Sequence, residues 1–276
     1  MKNTAAILAL SLCSMGAFAD EQALQKVIDS DHRTPAYVER DQYRNPLKTL
    51  SLFDIQPQHT VMEVWPSGGW YTEILAPYLK KEGKLIAAHY DTSDTQANYR
   101  PGSRQRFDKK MAASGKHYGK VDTQSLMIDE KSKKVVKSPA AKNSVDRIVT
   151  FRSTHGWFAR GITDVMMAEF FSLLKPGGKL GLVQHQAANN QDWSSTNIGY
   201  VGRQAVIDAA LKAGFTLEAE GYFNNNPKDT RHYDNGVWQL PPTLRGSDSD
   251  AEKAVYNDIG ESHRMTLVFI KPRNRS

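Results

Sequence analysis

The segment Val61-Met62-Glu63-Val64-Trp65-Pro66-Ser67-Gly68-Gly69-Trp70-Tyr71-Thr72-Glu73-Ile74-Leu75-Ala76 contains a change of periodicity. Thr60 to Val64 is a short β-rich run bounded by Pro57 on one side and Pro66-Ser67-Gly68-Gly69 on the other. From Trp70 to Leu79 the apolar positions Ile74, Leu75, Tyr78 and Leu79 recur at helical spacing. The segment therefore reads as strand, tight glycine turn, helix. Such a turn lets a ligand approach the backbone and aims helix N-terminal amides at it.

Outward from there the alternation continues. Lys84 to Ala88 reads as a strand entered through Gly83, and Ser103 to Ala113 as a charged helix. Val145 to Phe151 reads as a buried strand, Thr163 to Leu174 as a helix, and Lys179 to Gln184 as a strand after the turn Lys175-Pro176-Gly177-Gly178. Val201 to Ala213 is helical, Phe215 to Phe223 strand-like, and Met265 to Ile270 a final strand. On the N-terminal side, a polar helix around Glu21 to Ser30 and a helix from Pro46 to Phe53 precede the first strand. The expected fold is α/β: a mixed, mostly parallel seven-stranded sheet with helices on both faces.

The chain has 276 residues, 36 Lys+Arg against 30 Asp+Glu, and one cysteine, Cys13. Five Trp, eleven Tyr and ten Phe supply a core and argue against disorder. Residues 1–19 read as a cleavable signal peptide: Lys2, an apolar run from Ala5 to Leu12, and the small-x-small site Ala17-Phe18-Ala19. The alternative, a lipid anchor on Cys13, is disfavoured by the bulky Leu12 before it. Cleavage after Ala19 removes the only cysteine, so the mature chain has no disulfide or thiolate. A periplasmic or secreted location follows as the expectation. No other stretch is long and apolar enough to span a bilayer.

Glu63 to Ala76 resembles the first motif of class I S-adenosylmethionine-dependent methyltransferases, an acid followed by a glycine turn and a helix. Leu174 to Leu180 is similar to the turn before their fifth strand, and the order of elements agrees from about Arg40 to Pro272. More narrowly, "YRNP", "VWPSGGWYTEILAPYL", "TFRSTHGW" and "GESHRMTL" resemble a group of secreted bacterial predicted methyltransferases. The resemblance implies a Rossmann-like class I methyltransferase domain over 57–276 with an insertion at about 224–262, preceded by a helical lid segment over 20–56. It also implies S-adenosylmethionine as cofactor and methyl transfer to a small-molecule acceptor. The cofactor contacts would be Glu63, Trp65, Ser67, Gly68, Gly69, Tyr71, His89 and Asp91.

Two departures from the family pattern are visible. Trp65 and Ser67 replace two of the three usual glycines, and Trp65 sets a ring where the donor's methionine part would meet bare backbone. The ribose-binding acid expected at the end of the second strand falls near His89, with Asp91 two residues on. A non-catalytic binding protein that keeps the fold with a degenerate donor site is therefore the second reading.

In the loop after the fourth strand the resemblance places Phe151, Arg152, His155 and Trp157, with His155 as candidate base and Arg152 as candidate catalytic residue. Arg152 is suited to fork onto a substrate carboxylate or phosphate, or else to pair with a structural acid such as Glu63. His89, His155 and His185 each follow a strand, which leaves a three-histidine metal site as a third, weaker reading. No metal ligand is assigned. Tyr43 and Arg44 are candidates for a lid or a domain cap. Trp65, Trp70 and Trp157 are expected around one crevice, whose aromatic walls suit a flat ligand. The lysines from Lys131 to Lys142 lack interleaved aromatics and read as a solvated hairpin, not a nucleic-acid site. Oligomeric state is left open.

Overall fold

A computed structural model describes residues 20–191 and 198–273; the leader expected over 1–19 lies outside them. Residues 20–28 form helix α1, followed by α2 (Pro35–Val38), α3 (Asp41–Arg44) and α4 (Pro46–Leu52). Then come β1 (Thr60–Val64), α5 (Thr72–Leu79), β2 (Lys84–His89), α6 (Tyr99–Ala113), α7 (Gly115–Tyr118) and β3 (Asp122–Ser125). A hairpin of β4 (Met127–Asp129) and β5 (Lys134–Lys137) leads to β6 (Val145–Phe151), α8 (Thr154–Ala159), α9 (Thr163–Leu173) and β7 (Leu174–His185). The chain closes with α10 (Arg203–Lys212), β8 (Thr216–Gly221), a 3-10 turn at Gly236–Gln239, α11 (Asp250–Ile259) and β9 (Arg264–Ile270).

Seven strands form one sheet in the order β3-β2-β1-β6-β7-β9-β8. Neighbours from β3 to β7 pair in parallel, while β9 runs antiparallel between β7 and β8. The expected mixed seven-stranded sheet is thus the one found. Strand order reverses between β1 and β6, and in open α/β sheets the ligand crevice lies there, beyond the carboxyl ends. The sheet is buried on both sides. Met62, Val64, Ile86, Ile148 and Leu182 pack with α9 and α10 through Met166, Phe170 and Val206. Val61, Leu85, Val149 and Val183 pack on the other face with α1, α5 and α6 through Leu24, Ile74 and Phe107. That double burial is why Val61, Met62 and Val64 of β1 and Ile148 and Val149 of β6 stand in adjacent apolar positions instead of strict alternation.

Two expectations are corrected, and the β8–β9 segment proves partly buried. Lys175-Pro176-Gly177-Gly178 is not a turn before β7 but a bulge within it, where pairing jumps from Val145↔Leu174 to Arg147↔Lys179. The segment between β8 and β9, where an insertion at about 224–262 is expected, buries Asn224 and Asp229. The Asn224 amide donates to Thr49 and Thr266, and Asp229 accepts from the Tyr200 hydroxyl, which makes burial of these polar groups tolerable. His155 lies in helix α8, not in a loop. The lysine-rich segment does form the expected hairpin, whose Ile128 and Val135 anchor it to the core. Among the described residues no helix is long and apolar enough to cross a membrane.

Candidate functional site

Parallel register carries the ends of four strands to one edge: Val64 lies beside Ala88 and Thr150, and Phe151 beside Val183. The antiparallel β9 starts at that same edge, with Arg264 opposite His185. The crevice is therefore built from Trp65 onward, Tyr90 onward, Arg152 onward, and the segment Glu261 to Arg264.

The glycine turn keeps a distinctive backbone. Trp65, Ser67 and Gly69 have φ of 47°, 55° and 79°, all left-handed, at the three positions where the motif ordinarily carries glycine. Only Gly69 adopts this without a Cβ penalty; Trp65 and Ser67 carry strain of about 1–2 kcal/mol each. Trp65 is 8% exposed. Its ring lies 4.9 Å from Tyr90 and 6.2 Å, edge-on, from Trp157, with Arg100 stacked over the Tyr90 ring. Packing holds the tryptophan in its strained conformation.

The N-terminal segment closes over the other side of this turn. Thr34 donates to both oxygens of Glu73 at the start of α5, at 2.8 Å from its amide and 2.6 Å from its hydroxyl. Trp70 donates its indole N–H to the Tyr37 carbonyl, and the Tyr37 hydroxyl and the Lys110 ammonium both donate to the Gly68 carbonyl. A Cβ on Gly68 would sit 2.6 Å from the Tyr37 hydroxyl oxygen, so a larger residue there would displace the Tyr37 ring tip. Of the three tryptophans expected around one crevice, Trp65 and Trp70 line the same small cavity and Trp157 does not. Trp70 packs with the second core cluster, between the Arg33 and Arg44 guanidiniums.

The remaining residues of the expected cofactor set are engaged within the protein. Glu63 accepts a hydrogen bond from Thr72 at 2.5 Å and is 2% exposed; burial pushes its carboxyl up to about 7. Tyr71 stacks on Phe151 and its hydroxyl reaches the Arg44 carbonyl. His89 is fully buried beside Phe107, and its Nδ1 accepts from the Tyr90 amide. Asp91 is bound by Lys137 at 2.7 Å and by Ser93, which with its other hydrogen bonds holds it far below the usual carboxylate range.

At the far side of β1 and β6 lies a group of arginines that the sequence reading only touched. Glu261 accepts from Arg40, from Arg44 and, at 2.7 Å, from Arg264. Burial raises its pKa, but the charges of Arg264, Arg44, Arg40 and Arg152 outweigh that and hold it at about 2. Arg44 and Arg264 are 3% and 2% exposed. Arg152 is half-buried, has φ of 60°, and among the described residues makes no ion pair and no side-chain hydrogen bond. It does not pair with Glu63, as one reading had it. The side chains of Arg40, Arg44, Trp65, Trp157, Thr154 and Gln184 each leave a buried polar atom without a partner. Such orphans cluster where a ligand or water completes the structure.

His155 lies against His185 and Trp238, 6.1 Å and 5.8 Å between ring centres. Burial lowers His155 and His89 to about 4 and takes His185 well below its ordinary value, so all three are neutral at pH 7. A base this weak is poorly matched to proton abstraction at neutral pH, which argues against His155 in the role expected of it. His89 stands apart from the other two histidines, and among the described residues no three His, Cys, Asp or Glu side chains converge to hold a metal.

These shifts make stability pH-dependent. His89 and His155 titrate near 4 folded against 6.5 unfolded, so the stability they confer is present above 6.5 and lost as pH falls towards 4, about 3 kcal/mol each. Glu63 acts oppositely: its contribution is present below 4.5 and lost as pH rises to about 7, again about 3 kcal/mol. The histidines win, so the guanidinium chloride midpoint should fall between pH 7 and pH 4.5, and a midpoint that rises instead would contradict these assignments.

No protein-family model matches the sequence, and no curated protein matches it either. Solved structures do. A SAM-dependent methyltransferase from Aquifex aeolicus superposes with a TM-score of 0.54 over 91% of this chain and 98% of that one, at 14% identity. A geranyl diphosphate methyltransferase in complex with SAM gives 0.55 over 90% and 94%, at 11% identity. A Methanosarcina mazei SAM-dependent methyltransferase gives 0.51 over 82% and 97%, at 9% identity. The fold is that of the class I S-adenosylmethionine-dependent methyltransferases.

Fit to the donor is a separate matter. Between Arg44, Glu63, Trp65, Trp70, Tyr71 and Arg152 the crevice leaves a cavity of about 40 Å³. Sites for ligands of nucleoside size measure about 300 Å³ or more. With the indole between Tyr90 and Trp157, and Asp91 tied to Lys137, these residues do not fit S-adenosylmethionine as arranged.

Proposed function

We propose that this protein binds a small molecule at the carboxyl edge of a methyltransferase-type sheet without using S-adenosylmethionine there as a methyl donor. The observation that carries this reading is the position of Trp65, whose ring takes the place that bare glycine backbone leaves open for the donor. The missing ribose acid supports it: Asp91 is bonded to Lys137 instead of facing a ribose. The leader read over residues 1–19 supports work outside the cytoplasm, where a chain exported unfolded arrives without a cytosolic cofactor.

One observation favours a second reading, methyl transfer to a small acceptor. The turn retains left-handed backbone at all three glycine positions, so withdrawal of one side chain restores much of the donor's bed. Isothermal titration of the chain from Asp20 onward with S-adenosylmethionine and its demethylated product separates the two. No saturable heat is expected up to millimolar ligand. A saturable isotherm with a micromolar dissociation constant would overturn the proposal and establish the second reading.

A further inference from the structure

Four guanidiniums, those of Arg40, Arg44, Arg152 and Arg264, surround the single carboxylate of Glu261, and the neighbouring His155 and His185 are neutral. Even with Glu63 ionised across the cavity, positive charge exceeds negative by two. Arg152 suffers most from this: the charge of Arg44 is the chief influence on it, followed by burial, and together they depress its pKa well below the ordinary range. Arg152 thus faces like charges from a left-handed backbone position, with no acid bonded to it among the described residues. Arg44 meanwhile leaves its Nη2 buried and without a partner while lining the same small cavity.

We infer that this arginine-lined cavity is a receptor for one anionic headgroup, a carboxylate or a phosphate, with Arg152 and Arg44 as its ligating side chains. The inference rests on the reading that Trp65 closes the donor cleft, because the space that remains suits a headgroup and not a nucleoside. A cavity of about 40 Å³ holds roughly three waters or one such anion. The missing negative charge, the orphaned Arg44 donor and the unpaired Arg152 are all supplied by one ligand. Arg152 is half-buried, so the anion enters from solvent with the rest of its molecule outside. The aromatic pair Tyr71 and Phe151, stacked beside it, forms the apolar wall of the entrance.

Thermal unfolding of wild type, Arg152→Met and Lys116→Met tests this. Each is titrated with inorganic phosphate, malonate or S-adenosylmethionine, with ionic strength held constant by chloride. Wild type and Lys116→Met should gain several degrees in a saturable manner with phosphate or malonate, and the stronger of the two identifies the headgroup class. Arg152→Met should start with a higher midpoint than wild type, because a repelled charge is gone, and should lose the saturable response. A lower starting midpoint for Arg152→Met together with an unchanged phosphate and malonate response would overturn the anion site. So would wild type that responds to neither anion; with S-adenosylmethionine also silent, the closed cleft would stand. Stabilisation by S-adenosylmethionine alone would overturn both.

Discussion

Glu261→Gln should cost the protein about 3–5 kcal/mol of stability, the range for removing one partner of a buried ion pair. The glutamine keeps the size of the side chain and removes the only carboxylate among the described residues that is bonded to Arg40, Arg44 and Arg264. Two of those arginines are almost completely buried, so water cannot replace the lost charge. The wild-type pH dependence gives an independent check. Glu261 has its pKa depressed to about 2 from 4.5, so its contribution is present above 4.5 and lost as pH falls to about 2. That shift corresponds to about 3 kcal/mol. Guanidinium chloride denaturation at pH 7 measures the mutant effect. Because the cluster is overcharged, Glu261→Gln combined with Arg152→Met should recover part of the loss. A double mutant no more stable than Glu261→Gln alone would show that Arg152 is not under the repulsion assigned to it.

Trp65→Gly is the second large effect, and its sign is not obvious from the backbone alone. Glycine relieves the left-handed strain at φ 47°, about 1–2 kcal/mol. Against this stand the loss of a buried indole, about 3–5 kcal/mol, and glycine's added chain entropy, about 1 kcal/mol. Burial wins, and a net loss of about 3 kcal/mol is expected. The vacated space, walled by Tyr90 and Trp157, should accept free indole, as engineered apolar cavities accept small aromatic molecules. Thermal melts with millimolar indole should therefore raise the midpoint of Trp65→Gly and leave wild type unchanged. A variant as stable as wild type, or one indifferent to indole, would mean that the ring does not fill the cleft.

Much of this architecture is legible from residue pattern, because burial on both faces of a parallel sheet favours β-branched and apolar residues bounded by turn formers. Thr60–Val64 and Val145–Phe151 have the same limits in the sequence reading and in the structure. β3 went unseen because Asp122-Thr123-Gln124-Ser125 is a short polar edge strand with no apolar signature. The bulge in β7 looked like a turn because proline and two glycines mark both equally. Helix α8 escaped because six residues are too few to show a period.

At the site, local pattern found the glycine turn and Arg152, while the arginine cluster stayed hidden. Arg44 and Glu261 are 217 residues apart, and only the antiparallel entry of β9 at the carboxyl edge brings them together. The segment Gly260 to Leu267 was noticed for its resemblance; the direction of β9 was the signal that its acid belongs beside Arg152.

Soaking crystals of the protein in millimolar S-adenosylhomocysteine tests the closed cleft most directly, since it reports the ring and the ligand in the same map. The Trp65 indole should stay between Tyr90 and Trp157 with no nucleoside density beside β1 and β2. Nucleoside density in the crevice, with the indole swung away from Tyr90, would contradict the closed donor site and return the protein to the catalytic members of its fold.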